Sequence, residues 1–383
     1  MRASPLELLS AAKARHEEFV TFLRPLVECE SPSGSAADIG RFVDLLTAGV
    51  SGIAKVKTRT AGRFGKMMRC DFQLPGPRQR QGRLLGVGHS DTVWPVGTLK
   101  TMPWRRERGR IWGPGVFDMK AGLALFVQAC RLLRELDVPV TKNVSLWIVP
   151  DEEVGSEFSR PFTEAEAKAC DVVLIPEPSM GLDGKAKTSR KGVGDYTLTV
   201  HGVSSHAGLD FQSGASAIVE LARQIDLIAS FTDLERGLTL NPGVVRGGTR
   251  TNVVASEAAV DIDVRVSRLR DFSTLDRRMH KLKPFDKRCK LEITGSLNRP
   301  PMERTRQIAT LFSTAKRIAT QMGVVLEECS AGGGSDGNFT AALGIPTLDG
   351  IGAVGEGAHA ANESILESRI PDRIALLAAL MAR

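Results

Sequence analysis

The residues of this chain that could carry out catalysis are histidines and carboxylates spread over most of its length. Seven of them are candidates for a metal site: His89, Asp91, Asp118, Glu152, Glu153, Glu177 and His359. A catalytic zinc site needs imidazole and carboxylate ligands in fixed geometry, with one position left open for water. Two metal ions about 3.5–4 Å apart also need a bridging group, usually a carboxylate. The set therefore contains the residue types of a metal-dependent hydrolytic site.

Two pairs of neighbouring candidates indicate how the tasks are divided. On a strand, His89 and Asp91 share a face, so Asp91 can accept a hydrogen bond from the ring nitrogen of His89 that does not bind metal. Glu152 and Glu153 are adjacent and point in different directions. One of them can bind metal while the other takes a proton from the activated water and returns it to the leaving amine. Asp118 follows a Gly-Pro-Gly turn and precedes a helix, and its two oxygens could bridge two ions.

Short apolar runs come directly before several of these polar residues. The runs are Leu84–Gly88, Val144–Val149 and Val172–Ile175. Continuous apolar runs of this length predict strands buried on both faces of a parallel sheet. Residues 121–136, apolar on nearly every side, are predicted to form a covering helix. Because ligands bind beyond the carboxyl ends of strands in open α/β sheets, we expect the polar residues to converge there.

Each feature has a simpler reading when taken alone. A single His-x-Asp is more often structural, and a Glu-Glu pair is usually solvated. Glu177 stands between two prolines and could mark a rigid surface turn, while His359 could lie at a loop tip. The combination favours a site because each element is predicted at the end of a strand in one sheet.

The chain has 383 residues, a length at which two domains are expected. Its composition and pattern shift near Gly192. We predict an α/β catalytic domain with a central, mostly parallel sheet, formed by residues 1–192 and 301–383. An α+β sandwich formed by residues 193–300 is predicted to be inserted into it.

Periodicity and turn residues predict further elements on both sides of this division. In the inserted segment they are a strand at 195–200, a helix from Ser213, strands at 251–256 and 258–266, a helix at 271–282 and a strand at 291–293. In the catalytic domain they are a helix at 6–29, a helix at 305–322, a strand at 324–327, a turn at 332–334 and a strand near 346–348.

Charge and composition argue against several other classes of protein. The net charge of +7 comes from 51 Lys and Arg against 44 Asp and Glu residues, a mild excess for this length. The most basic stretch, Arg277–Lys290, is interpreted as a solvated helix face and not as a nucleic-acid surface. Six cysteines lie far apart, which indicates reduced thiols. With no secretory leader visible and no apolar run long enough to span a bilayer, we expect a cytoplasmic protein without membrane partners.

Seven motifs occur in a specific order over residues 84–362. They are Gly88–Val93, Gly113–Gly122, Asp151–Ser156, Pro176–Pro178, Ser204–Gly208, Gly332–Asp336 and Gly357–His359. This ordered set resembles the dizinc exopeptidase and deacylase family, which includes glutamate carboxypeptidases, acetylornithine deacetylases, succinyl-diaminopimelate desuccinylases and aminoacylases. The spacing of Thr92, Val93 and Gly97 and the Trp112–Gly115 segment are similar to those of the glutamate carboxypeptidase branch. Glu177 fits carboxypeptidases and deacylases, whereas di- and tripeptidases tend to have Asp there.

The resemblance implies a zinc-exopeptidase-like fold and a set of residue roles. It implies two zinc ions, which cobalt or manganese could replace in vitro. His89 and Glu177 are implied to bind one ion and Glu153 and His359 the other, with Asp118 as the bridge. Glu152 is the implied general base, and the bond between Asp118 and Met119 is implied to be cis. The inserted segment is implied to be a lid and dimerisation domain, whose His206 reaches the partner subunit's site and donates to the oxyanion.

The resemblance also implies how a substrate with a free carboxylate is held. Arg265 follows Asn252 by 13 residues, the relation by which these carboxypeptidases bind the terminal carboxylate, together with backbone N–H groups near Gly333. Arg190 and Lys191 depart from the branch, which has small polar residues there. Their charge could favour acidic substrates or could be surface charge.

Three functions remain open at this point. The first is a zinc carboxypeptidase that releases a C-terminal amino acid, glutamate or a similar residue, from N-acyl or peptide substrates. The second is a deacylase of the acetylornithine or desuccinylase type. The third, a non-catalytic relative, is disfavoured because the five ligand positions and Glu152 are all present.

Overall fold

The computed structural model describes residues 3–383, which form two compact units. Unit 1 runs to Ser189 and also contains Arg304–Ala331 and Ser335–Arg383, whereas unit 2 contains Arg190–Glu303 and Gly332–Gly334. The segment predicted at 193–300 lies within unit 2. The chain thus leaves unit 1, builds unit 2 and returns to complete unit 1.

An eight-stranded sheet forms the centre of unit 1. Numbered along the chain, its strands are β1 (Ala54–Thr60), β2 (Lys66–Phe72), β3 (Arg83–His89), β6 (Asn143–Val149), β7 (Val172–Ile175), β8 (Ala186–Arg190), β13 (Glu328–Ala331) and β14 (Thr347–Asp349). Their order is β1-β2-β6-β3-β7-β14-β8-β13. The four central strands, from β6 to β14, are parallel. The predicted parallel strands at 84–88, 144–149 and 172–175 are confirmed and are direct neighbours.

Helices pack around this sheet and supply most of the core of unit 1. They are α1 (Pro5–Ala14), α2 (His16–Glu28), α3 (Ala36–Gly49), α4 (Ala121–Glu135), α5 (Arg160–Lys168), α8 (Arg306–Gln321), α9 (Gly337–Ala342) and α10 (Ile370–Met381). Helix α4 is buried on nearly every side, as its apolar composition predicts. No helix in the described part of the chain combines the length and apolar character needed to cross a membrane.

A small antiparallel sheet in unit 1 joins the two chain segments that carry Asp118 and His359. Its strands are β4 (Arg105–Glu107), β5 (Arg110–Trp112), β15 (Gly355–Glu356) and β16 (Ser364–Leu366). Trp112 pairs with Ser364 in this sheet. The pairing fixes the loop before Asp118 against the loop after His359.

Unit 2 is a four-stranded antiparallel sheet with two helices. The strands are β9 (Gly192–His201), β10 (Thr239–Gly247), β11 (Glu257–Val266) and β12 (Lys290–Arg299), and the helices are α6 (Ala217–Ala229) and α7 (Leu269–Met279). In the order β10-β11-β9-β12, β10 and β12 are the edges. Alternate residues of β9 and β11 enter a separate apolar core with the inner faces of both helices.

Several predicted element boundaries were wrong. The opening helix is broken at Arg15, whose backbone leaves helical geometry (φ −104°, ψ 19°). Helix α6 begins after Ser216, whose hydroxyl accepts from Val219 N–H, whereas Ser213 bonds Asp210 in the preceding loop. Residues 251–256 form no strand, and the strand predicted at 324–327 begins only at Glu328.

Candidate metal centre

His89 stands at the carboxyl end of β3 and is the most buried of the candidate metal ligands. Its side chain is 1% exposed, and its Nε2 lies 3.2 Å from Asp118 Oδ1 and 3.5 Å from Glu177 Oε1. Glu177 follows β7, the strand beside β3. The ends of two neighbouring parallel strands thus bring the His89 imidazole and the Glu177 carboxylate together, and the turn before α4 adds the carboxylate of Asp118.

His359 forms the more open side of the same cluster. Its Nε2 lies 3.1 Å from Glu153 Oε2 and 3.5 Å from Asp118 Oδ2, and half of its side chain is exposed. The backbone of His359 is left-handed, with φ 61°. This conformation is uncommon for a residue other than glycine and concentrates at functional sites. The cluster is therefore exposed to solvent at His359 and buried at His89.

Asp118 lies between the two histidines and directs one carboxylate oxygen to each. The residue stands in an irregular turn, Val116–Lys120, just before α4. The peptide bond between Asp118 and Met119 is cis, which confirms the expectation drawn from the family resemblance. At Gly122, a Cβ atom would come within 1.8 Å of the Pro176 carbonyl oxygen. Glycine is therefore required where α4 packs on the segment that carries Glu177.

Asp91 organises two neighbouring segments. The closest acceptor to His89 Nδ1 is the main-chain oxygen of Asp91 at 2.9 Å, whereas a carboxylate oxygen of Asp91 lies at 3.5 Å. That carboxylate accepts the main-chain N–H groups of Glu152 (3.2 Å) and Glu153 (3.1 Å) and the hydroxyl of Ser33 (2.7 Å). Asp91 thus orients the His89 ring and holds the turn that carries both glutamates.

The electrostatics of the cluster suit a divalent cation. Burial by itself lowers the pKa of His89, but hydrogen bonds that its ring donates to Asp118 and neighbouring carboxylates raise it well above its usual value. Asp118 and Glu153 raise the pKa of His359 to about 10. Burial raises the pKa of Glu153, whose Oε1 has no hydrogen-bond partner. One ligand atom each from His89, Asp118 and Glu153 lie within 4.8 Å of one another, so these donors fit a metal centre.

Glu363 also belongs to this region, although nothing in the sequence singled it out. Its buried carboxylate accepts hydrogen bonds from the main-chain N–H groups of Gly115, Phe117 and Asp118 and from the indole of Trp94. A glutamate in a loop is ordinarily solvated. The only available signal was its position four residues after His359.

The remaining candidates, His206, Asn252, Arg265 and Gly333, lie in unit 2. His206 and Asn252 are neighbours there, because the main-chain oxygen of Asn252 accepts from Ala207 N–H at 2.9 Å. Nδ1 of His206 accepts the N–H groups of Gly208 and Leu209, each at 3.2 Å. Since Nδ1 is an acceptor, the proton of the neutral ring resides on Nε2, which is left to act as a donor.

Arg265 is held by an acidic neighbour on its own strand. Its Nε and Nη2 donate to the carboxylate of Asp263 at 2.8–3.1 Å. Within residues 3–383, no hydrogen bond joins Arg265 to Asn252 or Gly333. The pair with Asp263 fixes the guanidinium on the face of β11 that points away from the apolar core of unit 2.

Arg190 supports the glycine-rich turn. It is 4% exposed, and its Nη1 donates to the carbonyl oxygens of Gly333 (3.2 Å) and Gly334 (3.0 Å). Surface charge, one of the two readings open from the sequence, is therefore excluded for Arg190. The side chain braces the backbone of a turn that was predicted to contact substrate.

The chain is similar to known sequences of one peptidase family. Peptidase family M20/M25/M40 matches residues 86–383. The chain is 28% identical to carboxypeptidase G2 of Pseudomonas sp. (strain RS-16) over 381 residues, covering 98% of this chain and 91% of that protein. It is also 28% identical to succinyl-diaminopimelate desuccinylase of Nitrosomonas eutropha over 298 residues, covering 73% of this chain and 77% of that protein.

Solved structures share the fold at lower identity. Aminopeptidase PepT from Bacillus cereus superposes with a TM-score of 0.80 at 22% identity, covering 96% of this chain and 98% of that chain. The M20 family metallo-carboxypeptidase Sso-CP2 from Sulfolobus solfataricus gives a TM-score of 0.70 at 19% identity, covering 95% and 98%. Together with the match over residues 86–383, this shows that the chain belongs to peptidase family M20/M25/M40 and is a metallohydrolase of that family.

Proposed function

We propose that this protein is a two-zinc carboxypeptidase that releases a C-terminal amino acid of the glutamate type from N-acyl or short peptide substrates. The observation that carries the proposal is the arrangement around Asp118. Each of its carboxylate oxygens faces a different histidine, and each histidine has a second carboxylate beside it. Such a donor set suits two cations that share one carboxylate.

The proposed ligands divide into two sets around this carboxylate. His89 and Glu177 bind one zinc ion, Glu153 and His359 bind the other, and Asp118 bridges them. Zinc in such a site supplies Lewis-acid polarisation of the scissile carbonyl and lowers the pKa of water. The half-exposed His359 side is the entrance for substrate.

Glu152 is the proposed general base. It removes a proton from the attacking water and returns that proton to the leaving amine. Its position is supported by Asp91, whose carboxylate accepts the main-chain N–H groups of both Glu152 and Glu153. Since the two glutamates share this anchor, the turn that carries both of them is held in place, and we assign them different tasks.

Arg265 is the proposed anchor for the carboxylate of the substrate, with Asn252 and backbone N–H groups near Gly333 as further donors. A guanidinium fork pairs with both oxygens of a carboxylate, which selects substrates with a free terminus. Asp263 holds the fork in place before substrate binds. Arg190 keeps the turn at Gly333 in a fixed shape.

We also propose that the active form is a homodimer built through unit 2, in which His206 donates to the oxyanion in the partner's site. Strand β10 is a sheet edge, with unpaired backbone groups that a second copy can pair. Its Val244 and Val245 are 52% and 59% exposed, as are Ile218 (47%) and Val219 (53%) at the start of α6. Exposed apolar residues beside an open edge support a self-complementary interface.

A deacylase of the acetylornithine or desuccinylase type is the second candidate. The observation in its favour is the 28% identity to a succinyl-diaminopimelate desuccinylase, equal to that with carboxypeptidase G2. Both reactions hydrolyse an amide beside a carboxylate, so the same residues would serve. The difference lies in the side chain of the released amino acid.

The decisive experiment measures metal content and then substrate preference. The purified protein is loaded with zinc, its zinc content is counted by mass spectrometry, and hydrolysis of N-acylglutamates, N-acetylornithine and N-succinyl-diaminopimelate is compared. Two zinc ions per chain with the highest kcat/KM for N-acylglutamates support the carboxypeptidase. A preference for either of the other substrates replaces it with the deacylase, and full activity without metal overturns both.

A further inference from the structure

Glu363 is completely buried, and four N–H groups converge on its carboxylate. Oε2 accepts from Gly115 N–H at 2.8 Å and from Trp94 Nε1–H at 2.7 Å. Oε1 accepts from Phe117 N–H at 2.8 Å and from Asp118 N–H at 3.0 Å. Burial raises the pKa of Glu363, and no cation lies within ion-pair distance of it among residues 3–383, although Lys120 interacts with it at longer range. The four N–H groups are therefore the direct partners of the carboxylate.

The three main-chain N–H donors lie in a turn that provides no hydrogen-bond acceptor for them. Asp118 and Met119 leave helical geometry (φ −114°, ψ 94° and φ −133°, ψ 33°). Within the turn, Val116 N–H bonds the Gly113 carbonyl and Lys120 N–H bonds the Gly115 carbonyl. A buried N–H group without an acceptor is destabilising, so the turn depends on an acceptor from outside.

Three segments that carry candidate ligands meet at this carboxylate. Glu363 itself stands four residues after His359, Trp94 stands five residues after His89, and Asp118 donates directly. We propose that Glu363 is a positioning residue of the metal centre. Its carboxylate sets the place of Asp118 relative to the histidines on either side. The inference rests on the proposed function in that these residues bind zinc.

Replacing Glu363 with Gln preserves size while removing one acceptor. Whichever oxygen becomes the amide nitrogen, its two N–H donors lose their acceptor and face further N–H groups. The turn must then shift, and Asp118 shifts with it. Outer partners of metal ligands typically contribute about 10–100-fold to metal affinity, so Glu363→Gln should weaken zinc binding by a factor in this range.

Glu30 provides a matched control. Its carboxylate also accepts two main-chain N–H groups, from Gly97 at 2.8 Å and Leu99 at 2.9 Å. It thus holds a neighbouring loop by the same chemistry, but that turn contains no candidate ligand. Glu30→Gln should leave the zinc affinity unchanged, whereas a general loss of stability would lower it in both variants.

The test measures zinc affinity in the full-length protein, independently of activity. Metal-free wild type, Glu363→Gln and Glu30→Gln are titrated with zinc against a competing chelator, with circular dichroism to establish folding. The absorption spectrum of the cobalt-loaded protein reports ligand geometry and should change only for Glu363→Gln. If that variant does not fold, Glu363→Asp, which keeps the charge one methylene further back, should bind zinc more weakly than wild type.

Two results would overturn the inference alone. One is equal zinc affinity and an unaltered cobalt spectrum in a folded Glu363 variant, and the other is an equal loss of affinity in Glu30→Gln. A wild-type protein that binds no zinc overturns the proposed function, and the role of Glu363 with it. The wild-type titration therefore separates failure of the proposed function from failure of this inference alone, which only the variants reveal.

Discussion

Asp91 holds the backbone of Glu153, whose side chain reaches His359. One oxygen of Asp91 lies 3.1 Å from the main-chain nitrogen of Glu153, and Glu153 Oε2 lies 3.1 Å from His359 Nε2. The sequence predicted that Asp91 orients His89. In the structure the main-chain oxygen of Asp91 is the nearer acceptor of the His89 ring, and its carboxylate connects the end of β3 with the turn after β6, so both sides of the centre depend on this residue.

The first prediction concerns the division of tasks between the adjacent glutamates. Glu152→Gln should retain two zinc ions per chain while kcat falls by about 10²–10⁴-fold, the usual loss when acid–base catalysis is removed. Glu153→Gln should instead release zinc, because Glu153 contacts His359 directly. Metal analysis beside steady-state kinetics checks both variants. Loss of zinc from Glu152→Gln would reverse the assignment.

The second prediction concerns the bridge. Asp118→Ala should lose both zinc ions, since its two oxygens face different histidines. His359→Ala should lose one ion, because the ligands at His89 remain. Zinc counted by mass spectrometry after gel filtration distinguishes the two results. A single ion lost from Asp118→Ala would show that Asp118 serves only one position.

A third prediction tests the substrate anchor. Arg265→Ala should lower kcat/KM by the equivalent of about 2–5 kcal/mol if the bound substrate desolvates the pair between its carboxylate and the guanidinium. Arg246→Ala is the matched control, since Arg246 also pairs with an aspartate of β11, Asp261, and should have little effect. Substrates whose terminal carboxylate is amidated should be insensitive to Arg265→Ala. An equal loss with the amide would rule out direct contact.

A fourth prediction follows from the proton on Nε2 of His206. A preorganised oxyanion donor contributes about 2.7–4 kcal/mol, so His206→Ala should reduce kcat by about 10²–10³-fold with zinc content unchanged. Mixing this variant with Glu152→Gln should restore part of the activity, because one site of the heterodimer then contains both intact groups. Heterodimers that form without regaining activity would place His206 outside the partner's site.

The fifth prediction concerns the dimer itself. Val245→Glu introduces a charge on the exposed edge strand β10 and should shift sedimentation from dimer to monomer. Val325→Glu, at a residue of unit 1 that is 77% exposed, is the control and should leave the dimer intact. Wild type that sediments as a fully active monomer would refute the interface and the shared site together.

The sequence was most informative where burial imposes a simple pattern. β3, β6 and β7 are buried on both faces, so they appear as continuous apolar runs, and their polar ends meet in space. β10 was missed because its residues are largely exposed and include Pro242, which an edge strand tolerates. No glycine or proline marks the break at Arg15 in the sequence. Ser213 and Ser216 are the same residue type, so type alone does not show which of them is the N-cap.

The contacts around the site were harder to predict than its members. Glu363 accepts from main-chain groups and from the distant indole of Trp94, and Asp263 accepts from a side chain two residues away. Nothing in the type or spacing of such a carboxylate distinguishes it from a solvated one. The sequence likewise left two roles open for Arg190, a charge that favours acidic substrates or surface charge, and gave no sign of its carbonyl partners.

The insertion of unit 2 between Ser189 and Arg304 has a consequence for synthesis of the protein. His89, Asp118, Glu153 and Glu177 all leave the ribosome before unit 2 is made, whereas His359 follows it. Domains generally fold as units during synthesis. The proposed ligand set therefore stays incomplete until the last segment emerges, and we expect hydrolytic activity only after translation of nearly the whole chain.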